Sequence, residues 1–323
     1  MAVALVAATF SAVYHAEVVA HRLGEPFGTL VLAVAVTVIE VSLVVSVMLS
    51  SAAEHATLAR DTVFAAVMLA CNGIVGLCLL SGGVRHFEQG FQVQGANAAL
   101  AVLAALTTLA LVLPNFTTST PGPVFNDLQL DFAALVSLVL YGVFVFIQTV
   151  RHRDYFLPSD GGDEETHAPP PTAAAALASF GLLIVSLVCV VGLAKALSPS
   201  LEAGLTRLGV PKAAVGIVIA ALVLLPEGLA ALRAAQANRL QTSLNLALGS
   251  ALETIGLTIP AVGVLAVLLG LPLTLGLDGK EEVLLALTLL VGVITLGTGR
   301  TTVLQGAVHL AIVAAFLFLT VVP

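Results

Sequence analysis

Three glutamates in this chain occupy places where a carboxylate is expensive. Glu40 stands alone in VTVIEVSLVV, and no other Asp, Glu, Lys, Arg or His occurs from Pro26 to Ala53. Glu227 is the only charge between Lys212 and Arg233, and Glu253 the only one between Arg239 and Asp278. If these stretches cross a bilayer, each bare charge costs about 2.5–3.5 kcal/mol even on lenient insertion scales. No Lys or Arg sits at matching depth, since Lys195 falls near a helix end. Carboxylates in that situation should carry a proton or a metal cation. One site with two mutually exclusive occupants is the chemistry of cation/proton exchange.

Neighbouring groups suit a hard cation, which takes oxygen ligands. Thr37 lies one turn before Glu40. Pro226 precedes Glu227, and a proline frees a carbonyl one turn earlier and can kink the helix. Asn72, Asn245 and Ser250 fall in the middle of apolar runs, where they serve either coordination or ordinary interhelical hydrogen bonding.

The stretches that hold these residues must be membrane helices. The chain has 323 residues, 59% hydrophobic and 10% charged, against about 25% charged in a soluble domain. Its mean hydropathy is +1.09. A spanning helix needs about 20 apolar residues, and ten segments qualify: 2–20, 28–50, 62–82, 96–113, 130–150, 173–197, 212–232, 241–269, 281–298 and 302–322. The first resembles the apolar part of a signal peptide but lacks a basic start, so it reads as a membrane helix. Cys71, Cys78 and Cys189 lie in apolar runs as small core residues, without zinc or disulfide spacing.

Residues 151–172 are acidic and end in three prolines, as a solvated linker does. Asp160, Asp163, Glu164 and Glu165 could alternatively capture cations. The linker divides the chain into residues 1–150 and 173–323, with five helices each. Both halves carry a signature: Arg22-Leu23-Gly24-Glu25-Pro26 before Glu40, and Arg207-Leu208-Gly209-Val210-Pro211 before Glu227. Five crossings is an odd number, so the second half must start from the opposite side. The expected fold is all-α, two inverted five-helix repeats, an arrangement common in secondary transporters. The ion-binding helix pairs would be 28–82 and 212–269.

Alternating the loops puts Arg22, Arg85, Arg151, Arg153, Arg233, Arg239 and Arg300 on face one. Arg60, Arg207, Lys212, Lys280 and Lys195 go to face two. Seven against five favours face one as cytoplasmic, with both termini external.

At these motifs the sequence resembles the ChaA-type calcium/proton antiporters of the calcium/cation antiporter superfamily. The resemblance runs through HAEVVAHRLGEPFGTLVLAVAVTVIEVSL, ARDTVFAAVMLACNGIVGLCLLSGG, LLPEGLAALRAAQANRLQTSLNLALGSALETIGLTIP and TLGTGRTTVLQGAVHLAIVAAF. It implies exchange of Ca²⁺, or in some members Na⁺ or K⁺, for H⁺. It also implies Glu40 and Glu227 as the alternating proton and cation carriers, with Asn72 and the Asn245–Gly249–Ser250 segment lining the site. Two departures stand out. Members of the family are expected to have one or two further apolar segments before the first one here. Glu253 occupies a place where a small residue such as Ala is expected. Aligning Gly256 with Gly76 sets Glu253 beside the place of Asn72, either as a third site carboxylate or as a protonated helix-contact residue.

His15, Glu17, His21 and Glu25 cluster at the end of the first helix, as an entrance or proton relay or as an interfacial collar. His309 reads as a satisfied helix-contact residue. Gly297-Thr298-Gly299-Arg300 lacks the rest of a P-loop. The net charge of −7 argues against nucleic acid. A monovalent Na⁺(K⁺)/H⁺ antiporter with little calcium transport is the alternative, followed by a cation channel. A channel needs rings of ligands around a pore axis. No HExxH, GxSxG or paired Cys/His set supports an enzyme. The expected setting is the bacterial inner membrane, with the bilayer, transported cations and protons as partners and no resident cofactor. The oligomeric state, a homo-oligomer included, is not fixed by the sequence.

Overall fold

A computed structural model describes residues 1–49, 56–157, 170–207, 211 and 213–322. The acidic stretch Asp160–Glu165, Leu208–Val210 and Lys212 lie outside the described residues.

Among the described residues ten long helices follow in order: α1 (Ala2–Leu23), α2 (Phe27–Met48), α3 (Leu58–His86), α4 (Val93–Phe116), α5 (Asp127–Arg151), α6 (Ala173–Arg207), α7 (Ala213–Gln236), α8 (Leu240–Leu269), α9 (Gly279–Leu296) and α10 (Val303–Val321). Each of the ten predicted segments falls within one of these helices over its described residues, to within two residues at the ends. Without water to satisfy a backbone, a lipid-embedded chain must close its own hydrogen bonds, so even the β-branched run of α2 is helical. Capping sets several starts. Asn126 accepts from Gln129 N–H while Gln129 reaches back to Asn126 N–H. Glu281 and Gln305 do the same for the N–H groups of Asp278 and Thr302. The extended residues beyond α3 pair antiparallel with those before α10, Gln89–Gly90 (β1) against Arg300–Thr301 (β2).

The contacts repeat under exchange of the two halves. Helix α3 packs on α10 and α7; its counterpart α8 packs on α5 and α2. Loop contacts obey the alternation as well. On face one, β1 pairs β2 and Gln89 Nε2 donates to Ala235 O (2.9 Å) and Asn238 Oδ1 (3.0 Å). On face two, Thr274 N–H donates to Ala56 O (2.9 Å) and Gly276 N–H to Pro123 O (3.0 Å). The loop after α3 thus meets the loops after α7 and α9. Its counterpart after α8 meets those after α2 and α4. The halves are inverted repeats.

Both third helices contain a π-turn, Leu69–Ile74 in α3 and Thr254–Thr258 in α8. In α8 the cause is local. Pro260 has no N–H and its ring crowds the carbonyl four residues back, at Gly256, so the ladder widens there. Pro226, expected to kink its helix, sits instead inside a continuous α7. Cys71 and Cys78 are buried as expected, but Cys189 is exposed on the outer surface of α6.

On face two, Arg60 is only 6% exposed. Its guanidinium donates to Asp61 Oδ1 (2.8 Å) and Gly276 O (2.7 Å) and lies 3.5 Å from Asp278. Its neighbours within ion-pair or hydrogen-bond reach are thus three carboxylates, those of Asp61, Asp278 and Glu281, and the Gly276 carbonyl. A charge neutralised this way carries little weight in the positive-inside count.

Candidate ion-binding site

Glu40 and Glu253 each lie about 20 Å along helices that start at face one, and Glu227 about 21 Å along one that starts at face two. Opposite starting faces bring all three to the middle of the membrane. Helix α7 packs on α2 and α8, and α2 on the π-turn of α8.

Glu40 is 1% exposed. Its Oε2 accepts from Thr258 Oγ1 at 2.7 Å, the Thr254 hydroxyl lies within its reach one turn away, and its Oε1 has no partner. Thr37 Oγ1, one turn earlier on α2, is also buried without a partner. Glu227 and Glu253 are half-buried, and each keeps one buried oxygen unpaired. The charges felt at Glu227 are those of Glu17 and Glu40, and at Glu253 those of Glu227 and Glu40. The three carboxylates therefore share one field, and its nearby sources among the described residues are acidic. Among the described residues, no three His, Cys, Asp or Glu side chains close around a common point. The carboxylates lie within one another's electrostatic reach without being gathered into a cage.

Several predicted residues are held by other partners. Asn72, read either as a site residue or as an interhelical hydrogen-bonding one, has both of its polar atoms engaged with the last two helices. Its Nδ2 donates to Thr288 Oγ1 (2.9 Å) and its Oδ1 meets His309 Nδ1 (3.0 Å). Asn245 donates to Phe156 O (2.6 Å) and accepts from Gln241 (2.8 Å), so it fastens the chain beyond α5 rather than the ion site. Ser250 is buried one turn before Thr254, on the same face of α8. Of the cluster on α1, Glu17 is exposed and within the field of Glu227, on the side of face one. His15 is half-buried with Nδ1 unpaired, His21 is exposed, and Glu25 accepts from Thr29 (2.5 Å) within its own turn.

Sequence reasoning missed Thr254 and Thr258. Their spacing of one helical turn beside Glu253 was the available signal. It also missed Tyr141 of α5, which is buried against Gly256 and within the field of Glu253.

The family model for the sodium/calcium exchanger protein matches residues 1–150 and 178–322. The chain is 54% identical over 322 residues to the putative ionic transporter y4hA of Sinorhizobium fredii, covering 99% of this chain and 87% of that one. It is 38% identical over 318 residues to the sodium-potassium/proton antiporter ChaA of Escherichia coli, covering 98% and 86%. Among solved structures it superposes on native YfkE with a TM-score of 0.78 at 15% identity, covering 99% of this chain and 90% of that one. It superposes on the H⁺/Ca²⁺ exchanger CAX with a TM-score of 0.74 at 17% identity, covering 98% and 79%.

Proposed function

This chain belongs to the sodium/calcium exchanger protein family, and we propose that its cation/proton antiport takes place at Glu40, Glu227 and Glu253. The observation that carries this reading is the shared acidic field of three mid-membrane carboxylates, each with an unpaired oxygen. A proton or a cation neutralises such a group; nothing else nearby does.

Protons bind the carboxylates from one face and the helices rearrange. On the other face the protons leave and the cation takes the same oxygens. Coupling follows from competition for one site. Thr37, Thr254 and Thr258 add neutral oxygens, and Ser250 lines the approach from the same face of α8. Glu17 extends the acidic field from Glu227 toward face one, which makes α1 the entrance wall, with His15 beside it. The ion-binding pairs are residues 28–82 and 212–269, one from each repeat.

Ca²⁺ is the preferred cargo in this reading. Three carboxylates suit a divalent ion, because attraction scales with the product of charges. The 38% identity to a protein named as a sodium-potassium/proton antiporter favours a second reading, Na⁺ or K⁺ in exchange for H⁺. We place the chain in the bacterial inner membrane with face one cytoplasmic, as a transporter with no enzymatic role and no resident cofactor.

The test is a pH jump across vesicles holding the purified protein, with Ca²⁺, Na⁺ and K⁺ compared side by side. Glu40→Gln and Glu227→Gln should each reduce exchange about 100-fold or more. Exchange that survives in both variants sinks the reading.

A further inference from the structure

A second buried polar cluster lies between α3, α9 and α10. Asn72, Thr288, Thr295 and His309 are each no more than 3% exposed. His309 Nδ1 meets Asn72 Oδ1 at 3.0 Å, and Cys71 lies beside the ring. An amide oxygen is an acceptor, so Nδ1 carries the hydrogen. His309 Nε2 is left to accept from Thr295 Oγ1, 3.2 Å away. From the other side Asn72 Nδ2 donates to Thr288 Oγ1 (2.9 Å), which in turn donates to Leu284 O (2.8 Å).

Cys71 and Asn72 belong to the π-turn Leu69–Ile74. A π-turn leaves the backbone ladder out of step, and a side chain bonded within the turn holds that irregularity in place. The last residue of the turn, Ile74, touches α7 at Gly228. A Cβ added to Gly228 would lie 3.2 Å from Ile74 Cδ1. Glu227 is the adjoining residue. A continuous set of contacts therefore runs from His309 through Cys71 and Asn72 to Ile74, Gly228 and the backbone of Glu227.

We infer that His309 is a positioning residue for the exchange reaction: through the π-turn of α3 it sets where Glu227 presents its carboxylate. The inference rests on the reading of Glu227 as an ion carrier, and it concerns geometry rather than proton transfer by the ring itself.

Two substitutions separate this role from simple packing. The side-chain nitrogen of Asn can occupy the place of Nδ1, whereas that of Gln falls at the place of Nε2. His309→Asn keeps a donor for Asn72 and should hold the cation KM within about threefold of the parent. His309→Gln keeps only the Thr295 side and should raise KM about tenfold with the maximal rate little changed. Thr288→Val, nearly the same shape, removes the support of Asn72 from the opposite side and should raise KM several-fold. This third variant decides the matter if either substitution at 309 fails to fold, as judged by size-exclusion and thermal unfolding in detergent. Equal KM values for the Asn and Gln variants, or an unmoved KM in Thr288→Val, overturn the inference. Glu227→Gln runs alongside in the same vesicles. Transport surviving there breaks the ion-carrier reading itself, an outcome distinct from equal KM values at position 309.

Discussion

The two third helices of the repeats have the same architecture and opposite chemistry. In α3, Gly76 lets α10 approach: an added Cβ would stand 3.1 Å from His309 Cβ. In α8, Gly256 lets α5 approach: an added Cβ would stand 2.8 Å from Tyr141 Cβ. One turn before the glycine, α3 carries Asn72 with every polar atom bonded. Near the same level α8 carries Glu253, with a buried oxygen unpaired and two acidic neighbours in range. Inverted symmetry duplicates the scaffold. The sequence then makes one copy a saturated strut and gives the other a carboxylate with a buried, unpaired oxygen. Saturated networks hold one geometry, and an unsatisfied acid invites a ligand.

The sharpest way to break that contrast is to remove the charge from α8. In Glu253→Gln the site loses one negative charge and keeps its volume. Loss of a unit charge weakens a divalent ion twice as much as a monovalent one at the same distance. The Ca²⁺ affinity should therefore fall at least about tenfold more than the Na⁺ affinity, read from isothermal titration or from KM in exchange assays. An unchanged ion preference with unchanged coupling would make Glu253 a strut like Asn72.

A smaller effect tests the shared scaffold. Overfilling a packed contact costs about 1–3 kcal/mol, while Gly→Ala inside a helix returns up to about 1 kcal/mol. Gly256→Ala presses on the Cβ and ring of Tyr141, which cannot swing aside. It should be net destabilised by about 1–2 kcal/mol in thermal unfolding. Gly76→Ala meets the end of Leu310 and His309 Cβ at 3.0–3.1 Å. Leu310 can shift, and the change should stay within about 1 kcal/mol. Equal losses would show that the two crossings are equally tight.

The parts of this design that were visible in the sequence follow from the bilayer. Membrane thickness fixes helix length, so the ten segments were legible. An odd number of helices per half forces inversion, so the repeat was too. Glu40 and Glu227 stood out because a lone charge in an apolar run is costly, and because the two recur at equivalent places of the repeat, which a chance interhelical hydrogen bond would not explain. The direction of Asn72 was not legible. Its partners Thr288 and His309 lie more than 200 residues away, and nothing near Asn72 in the chain says which face of α3 meets α9 and α10. Pro226 misled for a related reason. A proline is a local signal, but a packed membrane helix can absorb it, whereas Pro260 beside Gly256 coincides with an actual π-turn.

The finest test sets two buried threonines against each other. Thr258 and Thr62 are both 0% exposed. Thr258 of α8 donates to Glu40 at 2.7 Å, while Thr62 Oγ1 of α3 has no partner. A hydrogen bond to a charged group contributes about 1.5–3 kcal/mol, and the Thr254 hydroxyl stays within reach of Glu40. Thr258→Val, of nearly equal shape, should therefore raise the cation KM about three- to tenfold and leave the fold intact. Thr62→Val removes a hydroxyl that bonds nothing and should leave KM unchanged, with stability level or slightly improved. If Thr62→Val disturbs exchange as much as Thr258→Val, α3 takes part in ion binding on the same terms as α8, and the division between strut and site disappears.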